Sequence, residues 1–284
     1  MRSIAPAIDK VDRGVFARQP LADWAGELRG ELWPEAWPSV EQLDALRQRA
    51  IQDDGIDRPR LVAQSPTLLA DDLHYEERIR RGQLATRERN WHDLLNALVW
   101  LRYPRIKRAL NLAQCADIAV VGRRERTRAQ CAMTHFDEAG AIVLCSDPEL
   151  LELWDRHDWH GLFWREREAW GSRIAVFVFG HAILELALQP ERLLVAKALA
   201  LETDVGEIAS AINHPESIRP RVDCHVARLI EGGLALRDPQ DQRPIPLSGI
   251  PGWNPASTSE SFFTDAPCFR PLRDGRRYPT AEPL

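Results

Sequence analysis

The chain reads as an α+β protein, mostly helical, with a small, largely antiparallel sheet and a long ordered C-terminal coil. Three observations predict this class. Apolar residues recur at helical spacing behind recognisable N-caps. Only a few short runs are β-branched or alternating enough for strands. From Asp238 onward the chain is rich in Pro and Gly and loses periodicity. Helices and a few antiparallel strands in this order indicate an α+β architecture.

The elements follow in order. Residues 1–57 form an arm with short helices, in which Ser39-Val-Glu-Gln42 is a capping box for a helix running to about Ile51 and stopped by Asp53-Asp54-Gly55. Arg58–Ala70 holds two prolines and is expected to be extended, and a short helix spans about Tyr75–Arg81. A longer helix begins near Asn90 and ends before Pro104, which opens the next. Asp117–Gly122, Ala129–Phe136 and Ala141–Cys145 read as strands, the last two joined by a tight turn at Asp137-Glu-Ala-Gly140. Asp147-Pro148 starts a helix, and Ile174–Phe179 is the best strand of the chain. It leads through Gly180 into the apolar helix HAILELAL, followed by helices opening at Asp204 and Ser217. Residues 58–272 are expected to form one domain, with 273–284 as a tail.

Composition bounds the function. Hydrophobic residues are 44% and charged residues 28%, the balance of a soluble globular chain. No apolar run reaches the length of a membrane span, and MRSIAPAIDKVDRGVF places charges where a signal peptide needs an apolar stretch. A cytoplasmic location and no membrane partner are expected. Five dispersed cysteines without a C-x-x-C pair argue against a disulfide framework and a thiolate metal site. Residues 78–130 carry thirteen Arg or Lys against four Asp or Glu in a chain whose net charge is −5. This segment either neutralises acids elsewhere in the fold or faces an anionic partner. There is no Walker loop, G-x-G-x-x-G, H-E-x-x-H, G-x-S-x-G or zinc-finger spacing.

Two constellations could carry chemistry. The first is Asn90-Trp-His-Asp93 with Asn96. Asn90 suits an N-cap, with Asp93 at N3 reaching back to its N–H, which explains both without function. His92 and Asn96 lie one turn apart on one face and are left over. The second is Gly180-His181 with Glu185 one turn on. His and Glu at this spacing can share a divalent ion, or act as a base and its orienting carboxylate. A plain His–Glu hydrogen bond on an apolar helix is the alternative. Thr134–Gly140 reads chiefly as turn chemistry, with Asp137 or Glu138 a lesser candidate ligand. Pro246–Trp253 is rigid, and Trp253 either caps a pocket or buttresses the core.

The segments TRERNWHDLLNALVWLRYPRIKRALN, MTHFDEAGAIV, FVFGHAILELAL, PLSGIPGW and CFRP, in that order, resemble the bacterial family called domain of unknown function 3025, over roughly Arg58 to Pro271. The resemblance implies that Asn90, Trp91, His92, Asp93, Gly180, His181 and Glu185 are family features. It implies no reaction. His135 departs from the pattern, which speaks against a role for it.

Two functions remain open. One is a metal-assisted hydrolase of a small anionic or phosphorylated substrate, with His92, Asp93, His181 and Glu185 catalytic. In that reading His92, His181 and Glu185 hold a divalent metal, while Arg89, Asn96, Arg126 and Trp253 contact substrate. The other is a non-catalytic binding or scaffold protein that offers residues 78–130 to an anionic partner or nucleic acid. The enzyme requires His92 and His181 to share a pocket.

Overall fold

The computed structural model describes residues 6–7, 10–26 and 37–284. Two 3-10 turns, Arg13–Ala17 and Leu21–Trp24, lie ahead of α1 (Val40–Asp54). Its capping box is present as expected: Gln42 N–H donates to Ser39 Oγ at 3.2 Å and Ser39 N–H to Gln42 Oε1 at 2.8 Å. Gly55, at φ 69°, closes the helix in the left-handed region that favours glycine.

Next come β1 (Arg60–Ala63), the single turn α2 (Pro66–Leu69), α3 (Tyr75–Arg80) and β2 (Gln83–Thr86). α4 (Trp91–Arg102) starts at the Asn90 cap, whose side-chain oxygen accepts from Asp93 N–H at 3.0 Å. The reciprocal half of that box does not form. The Asp93 carboxylate instead binds Arg87, taking its backbone N–H at 2.7 Å and its guanidinium at 2.8 and 2.9 Å.

α5 (Pro104–Val121) has Pro104 in its first turn. Its free N–H groups at Arg105 and Ile106 donate to Asp223 at 3.1 and 2.9 Å. That carboxyl belongs to a later helix and caps α5 from a distance, its pKa pushed up to about 6 by burial. α6 (Arg128–Ala139) follows. Here the structure corrects the sequence reading, since residues 117–121 complete α5 with Gly122 as its cap, residues 129–139 lie in α6, and Gly140 already begins β3.

The remaining elements are β3 (Gly140–Cys145), α7 (Pro148–Asp155), β4 (Ile174–Val178), α8 (His181–Leu186), β5 (Val195–Glu202), α9 (Val205–Asn213), α10 (Pro215–Glu231), β6 (Arg243–Pro246), α11 (Phe262–Asp265) and β7 (Glu282–Pro283).

Among the described residues the strands form two sheets. β1 and β2 pair in parallel. The larger sheet runs β4-β3-β5-β6, with β7 also on β5. β3 pairs antiparallel with β4 and parallel with β5, β5 is antiparallel to β6, and β7 lies parallel to β5. The sheet is therefore mixed and not largely antiparallel. Every residue of β3 is buried, as expected of a strand flanked on both edges and covered on both faces. The expected C-terminal coil is also interrupted, by β6, two 3-10 turns, α11 and β7. Buried side chains from Val15 to Ala281 join in one core cluster, so the N-terminal turns pack with the rest. α6 lies on β3 and β5, and α4 and α6 both pack against α8. That convergence builds the site.

Candidate functional site

The site forms where the first turns of α4 and α8 meet the last turn of α6. β4 ends at Val178 and the chain enters α8 through Gly180. Glycine is required there by close approach: a Cβ would stand 2.4 Å from Gly140 N and 2.5 Å from Glu138 O. The tight passage sets His181 at the head of α8, facing His92 at the head of α4.

The two rings meet edge to face, 4.4 Å between centroids and 80° apart. Their Nε2 atoms lie 3.1 Å apart. Each ring has a carboxylate on its other side. His92 Nδ1 is 3.0 Å from Glu185 Oε2, and His181 Nδ1 is 3.9 Å from Asp137 Oδ2. The latter nitrogen is buried with no hydrogen-bond partner. Behind Asp137 stands Lys107 of α5, whose Nζ donates to Asp137 Oδ1 at 2.5 Å and to Asn96 Oδ1 at 2.8 Å. Asn96 in turn donates to the Tyr75 hydroxyl at 3.0 Å. The result is a chain of polar groups, Glu185–His92–His181–Asp137–Lys107–Asn96–Tyr75, through the junction of helices.

Burial is uneven. His181, Glu185, Asn96 and Lys107 are all buried, whereas the His92 side chain is 35% exposed and opens the chain to solvent. Burial drives the His181 pKa down to about 3, against the opposing pull of Asp137, so its imidazole is neutral at pH 7. Asp137 is held below the usual carboxylate range: burial pushes it upward, but Lys107 and the histidines outweigh that. An acid in the last turn of a helix faces an unfavourable dipole, and here the Lys107 ammonium compensates.

The hydrogen-bond pattern restricts protons further. With Glu185 ionised, His92 Nδ1 carries a hydrogen toward it. A neutral His92 then accepts at Nε2 from His181 Nε2–H. When His92 gains a proton at Nε2, His181 must move its own hydrogen to Nδ1, toward Asp137. Protonation of the exposed ring thus switches the tautomer of the buried one.

The sequence-predicted residues are only partly brought together. His92, His181, Glu185 and Asn96 belong to the chain. Asp93 is turned away and paired with Arg87. Glu185 addresses Nδ1 of His92, whereas the two rings converge through Nε2, so the three groups do not surround one point. Among the described residues no group of three His, Cys, Asp or Glu side chains is disposed to hold a metal ion. Arg89 stands exposed at φ 52° just before the α4 cap, and Arg126 donates to Thr134 Oγ1 on α6. Trp253 lines a cavity that also meets Arg102 and Tyr103, at the opposite end of α4 from His92.

Sequence reasoning missed Lys107 and Tyr75 and gave Asp137 to a turn. One signal for Lys107 was available: it is one of three lysines among 37 basic residues, placed in an arginine-rich helix.

The chain belongs to the family described as a protein of unknown function, DUF3025, whose family model matches residues 59–273. No curated protein and no solved structure matches it.

Proposed function

We propose that the chain is an acid–base enzyme whose exposed His92 exchanges protons with a small anionic substrate or its attacking water, and that His181, Glu185, Asp137 and Lys107 position and poise it. The observation that carries this reading is the contact of two Nε2 atoms at 3.1 Å, with a carboxylate behind each ring. A histidine needed only for packing does not call for a second imidazole, two carboxylates and a buried ammonium aligned with it. Hydrolysis is the reaction class that fits best: His92 takes a proton from water, and the pair returns it to the leaving group. In such a step the substrate displaces the His92–His181 contact, since both nitrogens of His92 are engaged. Arg89, exposed and three residues from His92, is the cation nearest in the chain for an anionic group.

A metal-assisted version has one observation in its favour. Two imidazoles on one tetrahedral ion place their nitrogens about 3.3 Å apart, given bonds of roughly 2.0–2.1 Å, and ligand histidines commonly hand their other N–H to a carboxylate. In that version Glu185 and Asp137 orient the two histidines and are not themselves ligands.

No helix among the described residues is long and apolar enough to cross a membrane. The five cysteines are all free, which supports the reducing environment of the cytoplasm.

The test is a hydrolysis screen with phosphomonoesters, phosphodiesters and carboxylate esters, with and without added Zn²⁺ or Mn²⁺. Turnover of one class, reduced at least about 100-fold in a folded His92→Gln variant, is the expected result. Turnover unchanged by His92→Gln, or none for the whole panel, contradicts the reading. Dependence on added metal would select the second version.

A further inference from the structure

A second site lies along the outer edge of the larger sheet. A cavity of about 330 Å³ is lined by all five residues of β4, Ile174 to Val178. Successive side chains of a strand point to opposite faces, so five in a row line one cavity only when it runs along the strand's edge. Among the described residues β4 pairs with β3 alone.

The register identifies which backbone groups face outward. Phe179 N–H donates to Gly140 O, and Ser146 N–H to Arg173 O, so in this antiparallel pair the hydrogen-bonded positions of β4 are 173, 175, 177 and 179. Ile174, Val176 and Val178 therefore turn their N–H and C=O groups into the cavity. Ile174 O is satisfied by Gly171 N–H. Val176 and Val178 have no backbone partner on that side among the described residues.

The walls are aromatic, from Trp24, Tyr103, Trp170 and Trp253. Arg102 and Arg219 line the cavity with a single acid, Asp23. Asp23 is already bonded by Gln19 Nε2 at 2.6 Å. Arg219 makes no hydrogen bond among the described residues, and its Nε is buried without a partner.

We propose that this trough binds the C-terminal end of an extended peptide, which adds to β4 as an edge strand. Its backbone pairs with Val176 and Val178, its terminal carboxylate meets the Arg219 guanidinium, and its apolar side chains lie on the tryptophan walls. Each feature asks for one part of that ligand. Outward strand groups need an alternating donor and acceptor, the guanidinium without a hydrogen bond among the described residues can take a fork of anionic oxygens, and the aromatic walls need apolar side chains. A cavity of this size holds two or three residues. The site is at the far end of α4 from His92, about 15 Å along a helix of this length, so it does not rest on the acid–base reading.

The probe is an equimolar mixture of acetylated tripeptides of Ala, Val, Leu and Phe with free C-termini, titrated into the full chain labelled with ¹⁵N. The expected result is a shift of the Val176 and Val178 amides and the Trp253 indole, with at least tenfold tighter binding than the same mixture as C-terminal amides. Arg219→Gln should abolish that preference and leave the affinity for the amides as it was. N-methylation of the peptide backbone, which leaves the protein untouched, should remove binding to both. No amide shift on β4, or equal binding of acid and amide, overturns the proposal. So does a small aromatic acid such as indole-3-acetate shifting Trp253 without Val176 and Val178, which would make this a small-molecule cavity.

Discussion

The ammonium of Lys107 bonds Asn96 and Asp137 from within the interior, so its own desolvation is offset only because both partners are in place. Asp137 depends on it in return, since no other cation forms an ion pair with that carboxylate among the described residues apart from His181 when charged. Replacing Lys107 by Met therefore leaves a buried carboxylate without its counter-charge. The expected loss is about 3–5 kcal/mol in a denaturant melt, and the double variant with Asp137→Asn should recover a large part of it. Additive losses would show that the two groups do not depend on each other. At this scale the sequence was legible for the Asn90 cap, whose oxygen takes the Asp93 N–H one turn on, but not for Glu185, which faces His92 of another helix and not His181 of its own. It was illegible for Lys107 and Asp137, whose partners stand thirty residues apart and meet only once α5 and α6 fold together.

Among the elements, α6 shows why local reading failed. Residues 129–136 alternate well enough for a strand, yet Thr127-x-x-Gln130 is a capping box that the fold uses in full, with bonds of 3.0 and 2.8 Å. Likewise IAVV at the end of α5 is β-branched, but the helix continues because its Ile106, Ala109, Leu110 and Ile118 are buried and the helix packs on α10. Tertiary packing outweighed propensity in both cases. β4, α8 and the helices capped at Ser39, Asn90, Asp147 and Asp204 were readable because their signals are local. The most demanding junction is Gly180. Gly180→Ala places a methyl against the backbone of residues 138–140, which cannot yield as a side chain could. We expect a loss of about 1–3 kcal/mol together with displacement of His181, seen as altered His92 and His181 ring signals in NMR. Unchanged ring signals would mean that this passage does not set the pair.

For the molecule as a whole, most cations of the basic segment 78–130 stay at the surface, but several pair with acids of other elements. Arg78 pairs with Asp71, Arg105 with Asp223, Lys107 with Asp137, Arg123 with Glu77 and Arg128 with Asp238. Neutralisation across elements thus accounts for much of a charge bias that could have marked a nucleic-acid face. Burial of titratable groups also links the site to global stability. His181 takes up a proton near 6.5 in the unfolded chain but only near 3 in the fold. Between those values unfolding binds a proton, so acid favours the unfolded chain. The contribution is fully present above about pH 6.5 and is lost progressively as pH falls toward 3. Urea melts from pH 7 to pH 4 should show a decline in stability that is shallower in His181→Gln. Parallel declines in the two proteins would place the titrating group elsewhere.

The central claim is that the two histidines form one proton-sharing unit, and ¹⁵N-detected NMR of their rings across pH 4 to 8 tests it most directly. His181 should be neutral throughout, its hydrogen on Nε2 wherever the His92 Nε2 is bare and on Nδ1 wherever that nitrogen carries a proton. A His181 that titrates near the ordinary imidazole value, or that keeps one tautomer in both protonation states of His92, would contradict it.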